Sequence, residues 1–575
     1  MTQQVDIQTE RVDDVPLLIG QQQKMGIPQV LDQILRPHGN RQGASFGCLT
    51  AGWIGYILSE ADHRMSEVEE WAAKRIETLR GMLPGLVNEK DFADDRLADV
   101  LCSLSDDQNW AAIETQLGRR LIRVYELESS PVRLDSTSVA VYHDTEGNTL
   151  FRHGHSKDHR PDLAQFKAML ATLDPMGMPK ATLVVAGNDA DDGLYIPAIK
   201  RARPVVGQGG RLYIGDSKMG ALNTRGFVQQ GGDYYLMPLA RTGKVPELLS
   251  SLLDPVWKKR QPVQRLEGHD AEGKPICLGL GYEHIRAQQA QVDGKTVTWE
   301  ERVLVVYSPS LARRARKGLA DRLDRAEEAL LALTPAPGRG KRRWNDRGAL
   351  EAAAEAILKK HRVQDLLTVH YQREVKQRTI RKYRDRPTRT EEQVRYVVEV
   401  KREPLAIHLA RRRLGWRLYA TNAPAETLPL ASAVWTYRGA PRIERNFRRL
   451  KGRPLGIRPL YVRRPDHAIG LVRLLSLALR VLTLVEYVVR RQLHAVDETL
   501  RGLYAGNPTR QTATPTTERL LKAFKGITLT VVQLPEQVIH HITPLSELQH
   551  RILELLDLPI SIYEDLPRLS QSIPP

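Results

Sequence analysis

Two aspartates and one glutamate stand where carboxylates can work together on a divalent cation. Asp135 ends the apolar half of an alternating stretch, Arg133-Leu134-Asp135-Ser136-Thr137, and Asp216 follows a second one, Leu212-Tyr213-Ile214-Gly215-Asp216. Groups at the carboxyl ends of strands in α/β sheets gather along one edge. Glu444 sits in a segment with helical character, Pro441 to Lys451, and is the only acid among ten Lys and Arg between Tyr437 and Arg464. Helical geometry places Glu444, Arg448 and Lys451 on one face. An isolated glutamate in such surroundings reads as a salt-bridge partner. With two further acids at strand ends, the same pattern suits a phosphodiester held by cations beside a metal held by carboxylates. That chemistry needs a strong nucleophile near neutral pH and charge neutralisation on the attacking and leaving oxygens, which two magnesium ions about 3.5–4 Å apart supply. Magnesium takes oxygen ligands, a few of them carboxylates.

The whole chain agrees with a polyanionic partner. Its 575 residues carry 85 Lys and Arg against 68 Asp and Glu, a formal charge of +17, and each phosphate neutralised by such a surface releases condensed counterions. An anionic membrane is the alternative. The longest apolar run, Ile469 to Val489, contains Arg473, Arg480 and Glu486, so it reads as a buried helix and no membrane partner is expected. The opening MTQQVDIQTE lacks the basic start and apolar core of a signal peptide. Cys48, Cys102 and Cys277 are far apart and odd in number, which fits a reducing cytoplasm and forms neither a disulfide framework nor a zinc site.

The elements that must position the acids follow from periodicity. Residues 1–127 carry apolar positions at three- and four-residue spacing and are expected to form a helical domain, with a helix-turn-helix among several arrangements that fit Ile27 to Leu58. From Val132 the period becomes two; strands are expected at Ala181–Ala186, Arg211–Ile214 and Tyr234–Leu239, with a helix through Tyr195–Arg203. This describes an α/β domain over 128–242. Residues 243–415 disturb the pattern and read as an inserted α+β domain: an apolar seam through Leu319, Leu323, Ala326, Leu330 and Leu333, a helix at Ala349–Lys360, and β-like stretches at Leu366–Tyr371 and Val394–Val400. Strand character returns at Trp416–Asn422, so 416–495 completes the sheet domain with the Glu444 helix, and 496–575 forms a C-terminal region.

Lesser motifs point elsewhere only weakly. His153, His155 and His159 lack the ligand groups of a zinc site and read as a polar loop. Asn188 to Gly193 resembles a calcium loop in composition alone and reads as a turn with a helix cap. Gly207 to Gly210 precedes a strand rather than a helix, so it reads as a turn. The segment Arg373 to Arg389, with Arg381 and Lys382 inside it, has eight Lys or Arg in seventeen residues; it reads as an arm against a DNA backbone, the alternative being a solvated connection.

Four ordered segments together resemble bacterial insertion-sequence transposases of the DDE type, within the insertion-sequence-four superfamily: LDSTSV around Asp135, GHSKDHRPDLAQF from Gly154 to Phe166, IGDSKMG around Asp216, and YRGAPRIERNFRRLK from Tyr437 to Lys451. In the last, Glu444 follows Tyr437 by seven residues and Lys451 follows Glu444 by seven, the superfamily's spacing; where the pattern has an arginine three residues after the tyrosine, this chain has Ala440. The resemblance implies an RNase H-like core interrupted by an insertion, with Asp135, Asp216 and Glu444 holding Mg2+ or Mn2+. It further implies that Tyr437 and Lys451 contact the end of a double-stranded DNA element, with Arg438 or Arg442 standing in for the missing arginine. Arg448, on the face of Glu444, and Lys218, beside Asp216, are further candidates for DNA binding. The implied reaction is cleavage at element ends followed by strand transfer, with a homodimer on DNA in the cytoplasm. Its rivals are a nuclease of the same fold that does not join strands and a DNA-binding protein without catalysis.

Overall fold

The computed structural model describes residues 6–36, 42–85, 87–269, 273–336, 338, 343–380, 388–439, 441–534 and 537–566. Fourteen strands lie among them: β1 Asp6–Arg11, β2 Val132–Val141, β3 Ala164–Leu173, β4 Met178–Ala186, β5 Leu212–Ile214, β6 Tyr234–Pro238, β7 Gln264–His269, β8 Pro275–Val292, β9 Lys295–Tyr307, β10 Leu367–Ile380, β11 Arg389–Arg402, β12 Trp416–Thr421, β13 Thr528–Leu534 and β14 Gln537–Ile542.

Nine of these form one mixed sheet in the order β4-β3-β2-β5-β6-β12-β9-β8-β7. β2, β3 and β4 make an antiparallel meander, while β5 and β6 run parallel to β2. Every residue of β3 and all but Asp135 in β2 are buried. Both faces are covered, as a parallel core requires: Tyr195, Ala198, Ile199 and Ala202 of the helix Tyr195–Val206 pack on one. On the other, Val139, Phe166, Ala168 and Leu170 join the core of the long helix Pro465–Ala495.

The segment 243–415 has two destinations. β7, β8 and β9 extend the sheet, and β12 returns between β6 and β9. The hairpin from β8 to β9 turns at Asp293 and Gly294, both with positive φ (46° and 76°), the geometry that a two-residue Asp-Gly turn supplies. The rest has its own core, formed by Leu319, Leu323, Ala326 and Leu330 of the helix Pro309–Leu331 with Leu350, Leu367, Val398 and Ile407. The apolar seam read from the sequence is therefore buried within the chain. From this base the hairpin β10–β11 projects, paired over fourteen residues of each strand.

The two ends of the chain share one core with the helix Pro465–Ala495, and β1 pairs with β13. That helix is the one element among the described residues long and apolar enough to cross a membrane, and it is buried in protein. Its charges are matched from inside: Arg480 to Glu114 at 2.8 Å, Glu486 to Arg445 and Arg449 at 2.6 Å each, and Arg473 to the carbonyls of Leu104 and Ser105. The helices Ile27–Ile34 and Phe46–Glu60 lie where a helix-turn-helix was one possibility. Residues 46–58 are buried throughout, which leaves no face to enter a major groove.

Candidate active site

β2 and β5 pair in parallel, Arg133 opposite Ile214. Asp135 and Asp216 each follow these residues by two positions, so they stand at matched register on neighbouring strands that lie about 4.8 Å apart. Asp216 lies just past the end of β5, whereas Asp135, expected at a strand end, is the fourth residue inside β2, which runs on to Val141. Asp216 caps the turn Ser217–Gly220: its Oδ1 accepts from the Lys218 amide at 2.8 Å and from the Tyr195 hydroxyl at 2.6 Å. Both bonds fall on Oδ1, and Oδ2 has no hydrogen bond among the described residues. Gly215 makes this possible, because a Cβ there would stand 2.9 Å from the Tyr195 ring and 2.7 Å from Met219 Sδ.

The helix Pro441–Lys451 presents Glu444 to the pair. Ile443, Asn446, Phe447 and Leu450 face inward, and two hydrogen bonds fix the helix to the turn between β3 and β4. Asn446 donates to the Gly177 carbonyl, and Arg442 donates to Asp174 at 2.9 Å. Asp174 is held from the other side by a bidentate Arg133, at 2.7–2.9 Å. Glu444 itself is exposed and has no ion pair or hydrogen bond among the described residues. The salt-bridge reading of this acid therefore finds no partner. Glu444, Arg448 and Lys451 line one groove with Phe447, Gly452 and Arg458, as the helical spacing anticipates.

Asp135 feels the other two acids. Burial pushes the Asp135 carboxyl up to about 6; Lys157 opposes the rise, and Asp216 and Glu444 add to it. Tyr437 is pushed up to about 12, mainly by burial and the neighbouring Tyr419, with Asp216 and Asp135 adding to it. Its ring packs edge-on against Tyr419 at 4.9 Å, so it serves the local core and borders the acids at once.

The basic residues expected at DNA divide. Arg448 and Lys218 are exposed and make no ion pair among the described residues. Lys451 is bound to Asp158 at 2.7 Å, alongside Arg458 at 3.0 Å, and Arg442 is bound to Asp174. Arg438 donates to the Leu278 carbonyl of β8. Arg381, Lys382 and Ala440 lie outside the described residues.

Sequence reasoning gave no role to three side chains that the fold brings here. Lys157, in the GHSKDHRPD segment, donates to the Ser136 carbonyl and Oγ at 2.7 and 2.8 Å and lies 3.8 Å from Asp135. Asp191 lies 3.5 Å from Lys157, and Tyr195 holds Asp216. The segment's order was the available signal: its glycine is required, since a Cβ at Gly154 would sit 2.3 Å from the Gly187 carbonyl oxygen. The three histidines of that loop form no metal cluster among the described residues. One grouping does arise elsewhere, Cys102 with Asp466 and His467, which spacing along the chain did not reveal. Arg464 already stands there as the cation, paired with Asp466 and 3.8 Å from Cys102 Sγ.

Residues 128–481 match the family model described as the transposase DDE domain. No curated protein matches the chain.

Proposed function

The chain belongs to the transposase DDE-domain family, and from that premise we propose that it cuts the ends of an insertion sequence and joins them to target DNA through Asp135, Asp216 and Glu444. One observation carries the assignment: two aspartates stand at matched register on adjacent parallel strands, with an unpartnered glutamate near enough to raise the first of them. The strand order, a three-stranded antiparallel meander followed by two strands parallel to its first, supports an RNase H-like core. Residues 128–242 and 416–495 would form that core, with the independently packed part of 243–415 as its insertion and the helical ends, 1–127 and 496–575, around it.

The donor set fits Mg2+ or Mn2+. It is all carboxylate oxygen, and its mutual repulsion is what a divalent cation relieves. When bound, such ions supply an activated nucleophile and neutralise charge on the phosphate. The chain's own residues do the positioning. Tyr195 and the Lys218 amide fix Asp216, while Asp174 and Gly177 anchor the glutamate helix. Arg448 and Lys218 present cations toward the DNA backbone, and Tyr437 and Lys451 border the cleaved end. Joining two ends requires two sites, and one chain has one set of acids, so the working species is a homodimer on DNA. Bacterial cytoplasm, at the nucleoid, is the corresponding location.

The test is direct. Duplexes carrying the terminal inverted repeats that flank the coding region are incubated with the full chain and Mg2+, and the products are sequenced. Free 3′-OH ends and joined products are expected, from complexes containing two protomers by light scattering. Cutting without joining would reassign the chain to a nuclease, and binding without cutting to a DNA-binding protein.

A further inference from the structure

The loop between Arg152 and Leu163 places two consecutive residues on opposite tasks. Asp158 turns toward the glutamate helix and binds Lys451 and Arg458. Lys157 turns toward β2. An ammonium has three donors, and two are committed to Ser136, the residue next to Asp135, through its carbonyl at 2.7 Å and its Oγ at 2.8 Å. The nearest oxygens left for the third are Asp191 Oδ2 at 3.5 Å and Asp135 Oδ1 at 3.8 Å, both beyond the 2.7–3.2 Å range of N–H···O bonds. Asp191 is held more closely by Lys167, which reaches its Oδ1 at 2.8 Å. Lys157 therefore keeps one proton for two looser ion pairs, to Asp191 and Asp135, both longer than its bonds to Ser136. Its side chain is 28% exposed, open to a ligand arriving at the site.

From this geometry, and resting on the transposase reading above, we infer that Lys157 is a catalytic residue that donates a hydrogen bond to a non-bridging oxygen of the scissile phosphate. No bond to Lys157 forms and no proton leaves it. The ammonium, held at fixed distance from Asp135 by Ser136, meets the negative charge that builds on the phosphoryl oxygens as the nucleophile adds. A donor fixed in advance on developing charge acts in the transition state more than in the ground state. The role differs from that of Lys451, whose ammonium is already bound by Asp158.

Single-turnover cleavage of terminal-repeat duplex over a range of Mg2+ concentrations up to saturation tests this with wild type, K157M, K157R and S136A. K157M is expected to cleave about 10²-fold more slowly, the loss typical of removing one oxyanion donor, with unchanged affinity for the duplex and an unchanged Mg2+-induced shift in Tm. K157R is expected to recover part of the rate, and S136A, which removes one of the two bonds that hold the ammonium and leaves the carbonyl, to fall between wild type and K157M. The inference is overturned if K157M cleaves at the wild-type rate. It is equally overturned if added Mg2+ cures the K157M defect, since Lys157 would then be only a counter-ion to Asp135. A wild-type chain that cuts nothing overturns the transposase reading itself, an outcome separate from a defect confined to K157M.

Discussion

The glutamate helix and the β10–β11 hairpin are the two basic elements that the sequence marks for DNA, and the fold uses their cations in opposite ways. On the helix, Arg442 is bound to Asp174, Arg445 and Arg449 to Glu486, and Lys451 to Asp158; Arg448 remains without an ion pair among the described residues. On the hairpin, Arg373, Lys376 and Arg378 are exposed on the outer half of a projecting ribbon. A run of ten bases around one acid thus builds an anchored platform for that acid, whereas a run on an unsupported hairpin is available to an outside anion. Local charge density does not separate the two cases. The acids contributed by distant segments do.

The sharpest way to break the comparison is through the acid on the platform. Glu444→Gln, Asp135→Asn and Asp216→Asn are each expected to reduce end cleavage by at least about 10³-fold while leaving duplex affinity near wild type, because they act on the chemistry and the cations act on binding. Gel-resolved cleavage beside a binding titration measures both. Near-normal cleavage by any one variant would remove that residue from the site.

Next in size is the contrast within the helix. Arg449→Ala is expected to destabilise the protein by about 2–3 kcal/mol, somewhat less than a fully orphaned buried charge, since Glu486 keeps Arg445 and Arg490. Arg448→Ala should change stability by less than about 0.5 kcal/mol yet weaken DNA binding. Denaturant unfolding with a binding assay checks the pair. Equal effects on stability would show that the two arginines do not differ as their ion pairs suggest.

Asp135 gives a smaller effect with a definite sign. Its folded pKa, about 6, lies above the ordinary carboxylate value near 3.9. The group's contribution to stability is therefore fully present below about pH 4 and is lost as pH rises through 6. Asp135→Asn is expected to raise Tm at pH 8 and to leave it unchanged at pH 4. Mg2+ should raise the Tm of the wild type at pH 8 by binding the folded state and should shift Asp135→Asn less. Cleavage should fall as pH drops through 6, where protonation removes a ligand. A Tm difference independent of pH would place the burial of Asp135 in doubt.

What could be read from the sequence, and what could not, follows the same division. β2, β5, β6, β12 and the helix Pro441–Lys451 were legible because each has a clean period and an end signal, and among them β2, the end of β5 and the helix position Asp135, Asp216 and Glu444. β3 was not, because Ala-Gln-Phe-Lys-Ala-Met-Leu-Ala-Thr-Leu has the composition of a helix; a central position buried on both faces overrides that preference. β8 and β9 were missed although Asp293-Gly294 is a strong hairpin signal, since charged residues interrupt both flanking strands. Lys157 and Tyr195 were invisible as site residues for a different reason. A lysine in a loop and a tyrosine at a helix start acquire roles only when the sheet brings Ser136 and Asp216 beside them.

The hairpin supplies the finest test, because alternation along β10 assigns its bases to faces. Lys376 and Arg378 project to one side, opposite Gln393 and Glu391, while Arg373 projects to the other, opposite Tyr396. A ribbon laid on a DNA backbone contacts phosphates with one face. If that face bears Lys376 and Arg378, the double variant Lys376→Ala with Arg378→Ala should lower the slope of log affinity against log salt by about 0.9 per lost contact, up to about 1.8 in all. Arg373→Ala should leave the slope unchanged. Fluorescence anisotropy with a terminal-repeat duplex at a series of salt concentrations resolves differences of this size. Equal flattening by both variants would mean a ribbon enclosed by DNA rather than laid upon it. No flattening by either would mean a solvated hairpin, and Arg448 on the platform would then be left as the better candidate for the backbone contact.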